Sequence, residues 1–344
     1  MRVDNFDFTL PEGHIADRPV SPREAARLLH VSPAGLADYQ VGKLHQLLRP
    51  GDILVFNDTR VIPARLYGNR GPVSLEVLLY SRDDDNTWLA LAKRAKRLRP
   101  GDSITFGDDF SARVVGKVEN GSVRLAFDCE DQAFTKALQQ YGHIPLPPYI
   151  KRRDDFHDRA DYQTIFAKKE GAIAAPTAGL HFTNDLLQKL EDAGVGKTFV
   201  TLHVGLGTFL SVTSEDTADH VMHQEWGEIS SETAEQLSQA KVAGRRVVAV
   251  GTTSLRLLES AAKKDGSIAP FRGFTDLFIV PGFRFKVVDV LMTNFHLPRS
   301  TLFMLVSAFV GLDNAKAAYA HAIENDYRFY SYGDACLLER KPQS

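Results

Sequence analysis

Val247-Val-Ala-Val-Gly-Thr-Thr-Ser-Leu-Arg256 decides the fold class of this 344-residue chain. Its first four residues carry no polar side chain and read as a buried strand. The residues after Gly251 read as the start of a helix running on through Glu259. A strand handing over to a helix is the repeating unit of an α/β domain, and the flanks repeat it. Upstream, a helix is expected near residues 231–243, and an alternating strand over 198–204. Thr183 is placed to cap a helix over 184–193, which Gly194 would stop. Downstream, residues 276–280 and 287–291 read as further strands. Near the N-terminus a helical stretch is expected at 23–29 and a strand at 53–56.

Between these flanks the texture changes. Residues 74–80, 87–92, 112–119 and 122–127 are short and strand-like, and Asn120-Gly121 between the last two signals a two-residue hairpin. This region reads as a small β-barrel. The expected architecture is therefore a mixed α/β main domain, residues 1–60 plus 153–344, with an inserted barrel over 61–152. Leu48-Arg-Pro-Gly-Asp52 recurs as Leu98-Arg-Pro-Gly-Asp102, and we read it as one type II turn used twice rather than a sequence repeat.

Composition excludes several classes. Two cysteines, Cys129 and Cys336, stand far apart, which argues against a disulfide framework or cysteine-bound zinc and for a reducing compartment. The first residues lack the apolar run of a signal peptide. The apolar run at 301–312 is about 12 residues, too short to span a bilayer. A cytoplasmic protein with no membrane partner is expected, and nothing demands an oligomer, so a monomer is the default. The net charge of −2 divides into +3 for residues 61–152 and −5 for the rest, so the barrel is the more favourable neighbour for phosphate.

Some motifs fail when weighed. Gly194-Val-Gly-Lys-Thr198 lacks the leading glycine and strand of a phosphate loop. Gly205-Leu-Gly207 lacks the third glycine of a dinucleotide site. His220 and His223 have the spacing of a metal pair, but no third ligand stands nearby; a hydrolase using them is one rival reading. Lys93-Arg-Ala-Lys-Arg-Leu-Arg99 holds five cations, and a solvated loop and a phosphate-contacting patch account for it equally. The start of the helix at Thr252, Thr253 and Ser254 offers either an ordinary side-chain cap or free N–H groups for an anion, with Arg256 adding charge. Polar-aromatic loops, Ala174-Ala-Pro-Thr-Ala-Gly-Leu-His-Phe182, Thr293-Asn-Phe-His-Leu-Pro298 and Tyr327-Arg-Phe-Tyr-Ser-Tyr-Gly-Asp334, suit stacking of an adenine or a flipped base. A second rival, a non-catalytic RNA-binding protein, leaves these loops unexplained.

At these residues the chain resembles a family, the S-adenosylmethionine:tRNA ribosyltransferase-isomerases of queuosine biosynthesis. The resemblance also covers Phe56-Asn-Asp-Thr-Arg-Val-Ile-Pro-Ala-Arg-Leu66, Gly142-His-Ile-Pro-Leu-Pro-Pro-Tyr-Ile150 and Tyr162-Gln-Thr164. Val200-Thr-Leu-His-Val-Gly-Leu-Gly-Thr-Phe209, residues 220–225 and 250–254, and Pro281-Gly-Phe283 complete it, all in the family's order. One departure is Asn69-Arg-Gly-Pro-Val-Ser74, where the family commonly has a Gly-Gly-Lys-type turn.

The resemblance implies the same two-domain fold and a tRNA partner bearing 7-aminomethyl-7-deazaguanine at the wobble position. S-adenosylmethionine is implied as a ribose-donating substrate, with no metal and no bound cofactor. Epoxyqueuosine-tRNA, adenine and methionine would be the products. A base must then take a proton from the 5′-carbon beside the sulfonium, and histidine is the side chain best suited to it. His296 and His181 are the first candidates, with His223 and Asp58 beside them as catalytic residues. Asn57, Arg60, Arg65, Thr177, His203, Glu225, Asn294, Tyr332 and Asp334 are expected to bind substrate, as are Thr252, Thr253, Ser254 and Arg256, the helix start receiving the methionine carboxylate. Lys93, Arg94, Lys96, Arg97 and Arg99 are the expected tRNA-phosphate contacts.

Overall fold

The Arg-Pro-Gly-Asp turn is built identically at its two occurrences. Asp52 N–H donates to Arg49 O at 3.0 Å and Asp102 N–H to Arg99 O at 3.0 Å. Each aspartate side chain also accepts the N–H of the arginine three residues before it, at 2.8 and 2.7 Å. Gly51 and Gly101 both sit at φ +90°, the left-handed value that the third position of a type II turn requires. One turn launches a strand of a large sheet, the other a strand of a barrel.

The computed structural model describes residues 1–84, 86–118, 121–129, 131–209 and 212–341. In chain order the strands begin with β1 (Arg27–Ser32), β2 (Gly35–Gln40), β3 (Ile53–Asn57), β4 (Thr59–Val61), β5 (Arg65–Arg70) and β6 (Val73–Asp84). Then come β7 (Thr87–Ala92), β8 (Ser103–Gly107), β9 (Phe110–Lys117), β10 (Ser122–Phe127), β11 (Lys169–Ala172) and β12 (Gly196–Leu202). The last are β13 (Glu225–Ile229), β14 (Val247–Val250), β15 (Phe271–Thr275), β16 (Val290–Asn294) and β17 (Ala335–Glu339). The helices are α1 (Asp131–Tyr141), α2 (Asp158–Asp161), α3 (Asn184–Asp192), α4 (Ser231–Val242), α5 (Thr252–Ser260), α6 (Thr301–Val310) and α7 (Leu312–Glu324).

Two compact units result. One comprises Met1–Arg60, Gln163–Lys169 and Ala175–Ser344; the other comprises Val61–Tyr162 and Glu170–Ala174. The first holds a nine-stranded sheet in the order β15-β13-β12-β3-β14-β16-β17-β1-β2. Strands β12, β3, β14 and β16 run parallel, with Val55 in register with Thr198 on one side and Ala249 on the other. Strand β17 returns antiparallel to β16 and parallel to β1. Leu54, Phe56, Val248, Val250, Val290 and Met292 form one core with Phe182, Leu186 and Leu190. Side chains alternate along a strand, so Val55, Ala249 and Leu291 face the other way, and α5 packs on these same strands. The mixed α/β class expected from the sequence is the observed one.

The second unit is built on a closed barrel in the order β10-β7-β6-β5-β8-β9. Leu66, Val77, Leu79, Ala90, Ile104, Ala112, Val114, Val123 and Leu125 are buried within it. Phe110, Phe127 and Phe134 of α1 add an aromatic cluster, with ring centroids 4.9–6.0 Å apart. Strands β9 and β10 pair antiparallel up to Val118 N–H on Ser122 O. Asn120 of the expected hairpin turn lies outside the described residues.

Three local expectations are corrected. Residues 23–29 form a short 3-10 turn, Arg23–Ala25, running into β1 rather than a helix. Pairing on both edges, with β17 and β2, overrides the local helical preference. Residues 276–280 are irregular, the strand being β15 just before them. The expected strand at 287–291 begins at Val290, because the N–H groups of Lys286, Val287 and Val288 all donate to the buried Glu259 carboxylate at 2.9–3.0 Å. The helix after Thr183 forms as read, its hydroxyl accepting Leu186 N–H. Among the described residues no single helix is long and apolar enough to cross a membrane, and α6 and α7 bend by 114° at their junction.

Candidate active site

Parallel strands bring their carboxyl ends to one edge of the sheet, where open α/β sheets bind ligands. Here Asn57, Leu202, Val250 and Asn294 end β3, β12, β14 and β16 at that edge. Because β17 runs antiparallel to β16, Asp334 enters at the same edge, opposite the end of β16. The six-residue reach of the loop before it is closed by Asp334 itself. Its carboxylate accepts Arg27 N–H at 2.9 Å and Arg328 N–H at 2.8 Å.

The junction of β3 and β12 is stitched by side chains. The Asn57 amide donates to Leu202 O at 2.9 Å and accepts Leu202 N–H at 3.0 Å, with a longer bond to Thr253 Oγ1. The buried Asp58 carboxylate accepts the Thr201 hydroxyl at 2.6 Å. His203, two residues on, lies 2.8 Å through Nδ1 from Thr59 Oγ1 and stacks on Trp226, ring centroids 5.2 Å apart and 18° from parallel. Burial lowers its pKa, and the neighbouring Asp58 and Glu228 act against that while Lys169 adds to it.

Helix α5 starts beside this junction. Gly251 is its N-cap and no side chain caps it: the Thr253 hydroxyl meets Asn57, and the Ser254 hydroxyl turns back to Val250 O at 2.9 Å. The side-chain-capped alternative is thereby set aside. The Gly251 α-carbon also faces the loop over 174–182, since a Cβ there would stand 3.6 Å from that of Ala178. Arg256, farther along α5, is engaged with Glu225 and donates through Nε to Leu277 O at 3.0 Å. Glu225 in turn accepts Gly205 N–H at 3.0 Å, tying the chain after His203 to the pair.

At the end of β16, the Asn294 amide donates to Tyr330 O at 3.1 Å and to His181 Nε2 at 3.2 Å. A carbonyl only accepts, so the amide nitrogen must face Tyr330. His181 Nε2 is then an acceptor and its proton sits on Nδ1. The Asn294 carbonyl oxygen is buried with no partner among the described residues. Burial, with Arg328 and Arg23 nearby, lowers the His181 pKa to about 4. His296, bonded through Nε2 to the Thr293 hydroxyl at 3.0 Å, is lowered by burial to about 3.

The remaining expected residues stand as follows. Tyr332 is buried and Thr177 half-buried on the turn Thr177–His181; Thr252 is buried at the start of α5. Arg60 is exposed on β4, and His223 is exposed, against Gly207. Arg65 belongs to the barrel unit, where it pairs with Glu76 at 2.7 Å and donates to Leu146 O at 2.9 Å. Lys93, Arg94, Lys96, Arg97 and Arg99 are all exposed on the same unit, and Lys93 pairs with Glu76. The backbone of this loop is held by other cations: Arg70 donates to Arg97 O and Lys117 to Lys96 O. Thr59, Thr201, Thr293 and Trp226 escaped the sequence reading. Thr59, Thr293 and Trp226 each stand next to a singled-out residue, Asp58, Asn294 and Glu225, while Thr201, between Val200 and Leu202, carries no signal of its own.

Residues 3–338 match the model of a family described as queuosine biosynthesis protein. A protein of Rhodospirillum rubrum named S-adenosylmethionine:tRNA ribosyltransferase-isomerase is 59% identical over 98% of both chains. A Mesorhizobium japonicum protein of the same name is 57% identical over 100% of this chain and 99% of its own. Among solved structures, the S-adenosylmethionine tRNA ribosyltransferase of Thermotoga maritima is 36% identical with a TM-score of 0.56, covering 97% of this chain and 99% of that one.

Proposed function

We infer the activity from one premise: the chain belongs to the queuosine biosynthesis family. It is an S-adenosylmethionine:tRNA ribosyltransferase-isomerase. It moves the ribosyl group of S-adenosylmethionine onto 7-aminomethyl-7-deazaguanine at the tRNA wobble position, giving epoxyqueuosine-tRNA, adenine and methionine. The observation that carries this is end-to-end identity of 59% with a relative of that name.

The carboxyl edge of the parallel strands is where S-adenosylmethionine binds in this reading. The start of α5 supports its use for the methionine carboxylate, because no side chain caps the N–H groups of its first turn and the positive end of the helix dipole lies there. The unpartnered side-chain oxygen of Asn294, Oδ1, and the Nδ1–H of His181 supply one acceptor and one donor, which suits the edge of adenine in this reading. Asp58 supplies negative charge toward the sulfonium. The exposed cations of residues 93–99 support contact with the tRNA backbone. The enzyme acts as a monomer in the cytoplasm in this reading.

The test is incubation with S-adenosylmethionine and tRNA, with and without the modified base, reading nucleosides and free bases by mass spectrometry. Epoxyqueuosine and adenine are expected only with the modified tRNA. Tight tRNA binding with no adenine released would turn the reading toward a binding protein.

A further inference from the structure

We propose that His203 is the general base that takes the 5′-proton of S-adenosylmethionine, and that Thr59 is the positioning residue that readies it. This rests on the ribosyl-transfer reading above.

The hydrogen-bond geometry fixes which nitrogen is available. Thr59 Oγ1 contacts both Lys169 O and His203 Nδ1, at 3.4 and 2.8 Å. A hydroxyl has one hydrogen, and the carbonyl can only accept it. Both contacts are satisfied only if His203 Nδ1–H donates to the hydroxyl, which leaves the lone pair on Nε2. Thr59 is fully buried, so the relay is shielded from water. Trp226 stacked on the ring and His203 N–H on Trp226 O, at 2.9 Å, hold it in plane. No partner occupies Nε2 among the described residues.

Charge separates His203 from its rivals. A base becomes positive when it accepts a proton, so anions must face it. Burial lowers the His203 pKa and Lys169 adds to that, but Asp58 and Glu228 both act against it, and Lys169 is itself ion-paired with Glu228 at 2.6 Å. His181 is faced by Arg328 and Arg23, which oppose a second positive charge, and its Nε2 already accepts from Asn294. His296 has no carboxylate acting on it. In the step itself the C5′–H bond breaks and the Nε2–H bond forms. The electron pair stays on C5′ beside the sulfonium, and the charges of Asp58 and Glu228 favour the imidazolium that results.

The experiment is single-turnover adenine release from S-adenosylmethionine with modified tRNA, across pH, for the wild type, His203→Gln, Thr59→Val and Thr59→Ser. Loss of a general base costs about 10²- to 10⁴-fold. His203→Gln should fall in that range, lose the acidic limb of the rate profile, and still bind S-adenosylmethionine by calorimetry within a few-fold. Thr59→Val should lower the rate and displace the acidic limb, and Thr59→Ser should restore both. A His203→Gln rate within five-fold of wild type, or an unchanged acidic limb, would overturn the assignment. A wild type that binds both substrates yet releases no adenine would overturn the enzyme reading itself.

Discussion

His181 is a residue whose titration marks stability, as is His296, whose folded pKa is lower still. The folded pKa of His181 is about 4, while an unfolded histidine titrates near 6.5. Between those values the unfolded chain binds a proton and the folded chain does not. Stability therefore falls as pH drops below about 6.5, by up to about 1.4 kcal/mol per unit for this one site. Urea midpoints at pH 7 and pH 5 measure it. His181→Gln should lose about 2 kcal/mol less than the wild type over that interval, and an equal loss in both proteins would sink the idea. At this scale the sequence told which residue types cluster, since the histidines and Asn294 lie in recognisable loops. It did not tell their protonation, because that depends on Tyr330 O and Arg328, more than thirty residues from Asn294 and more than a hundred from His181.

Among the elements, the loop over residues 327–334 is held by its own carboxylate and by close backbone contacts. Its carboxylate Asp334 ties it to β1, and Gly333 lets it close on itself: a Cβ there would lie 2.4 Å from Arg328 O and 2.5 Å from Phe329 O. Both neighbours are backbone and cannot swing aside. Gly333→Ala should cost about 2–3 kcal/mol and shift Asn294 and His181 through Tyr330 O, read as a lowered urea midpoint together with weaker S-adenosylmethionine binding. An unchanged midpoint would show the loop to be looser than drawn. Elements with a strong local period, such as α3 behind Thr183 and β14 running into α5, were legible from the sequence. Strand β1 was not, since its two partners are β2 beside it and β17 some three hundred residues on. The first part of the strand expected at 287–291 was misread because a single carboxylate, Glu259, takes the N–H groups of Val287 and Val288 that a ladder would otherwise use.

For the whole molecule, the barrel unit bears the exposed cations that its slight positive balance suggested. If residues 93–99 meet the tRNA backbone, replacing Arg94, Lys96, Arg97 and Arg99 with glutamine should weaken tRNA binding and reduce the salt slope by up to about three or four units, since each lost phosphate contact removes roughly 0.7–0.9. Filter binding across salt concentrations measures this, and equal slopes would return the loop to plain solvation. The α/β class and the presence of a barrel were readable because strand length, turn chemistry and alternation are local properties. The strand order was not, because β17 inserts between β16 and β1 and joins regions that the sequence keeps far apart. That insertion has a bearing on the protein's birth. With β17 missing, β16 and β1 have no bond to each other, and Asp334 cannot anchor the loop that orients Asn294. A ribosome must therefore translate as far as residue 339 before a nascent copy can close this sheet, so partly made chains lack the edge at which S-adenosylmethionine is proposed to bind.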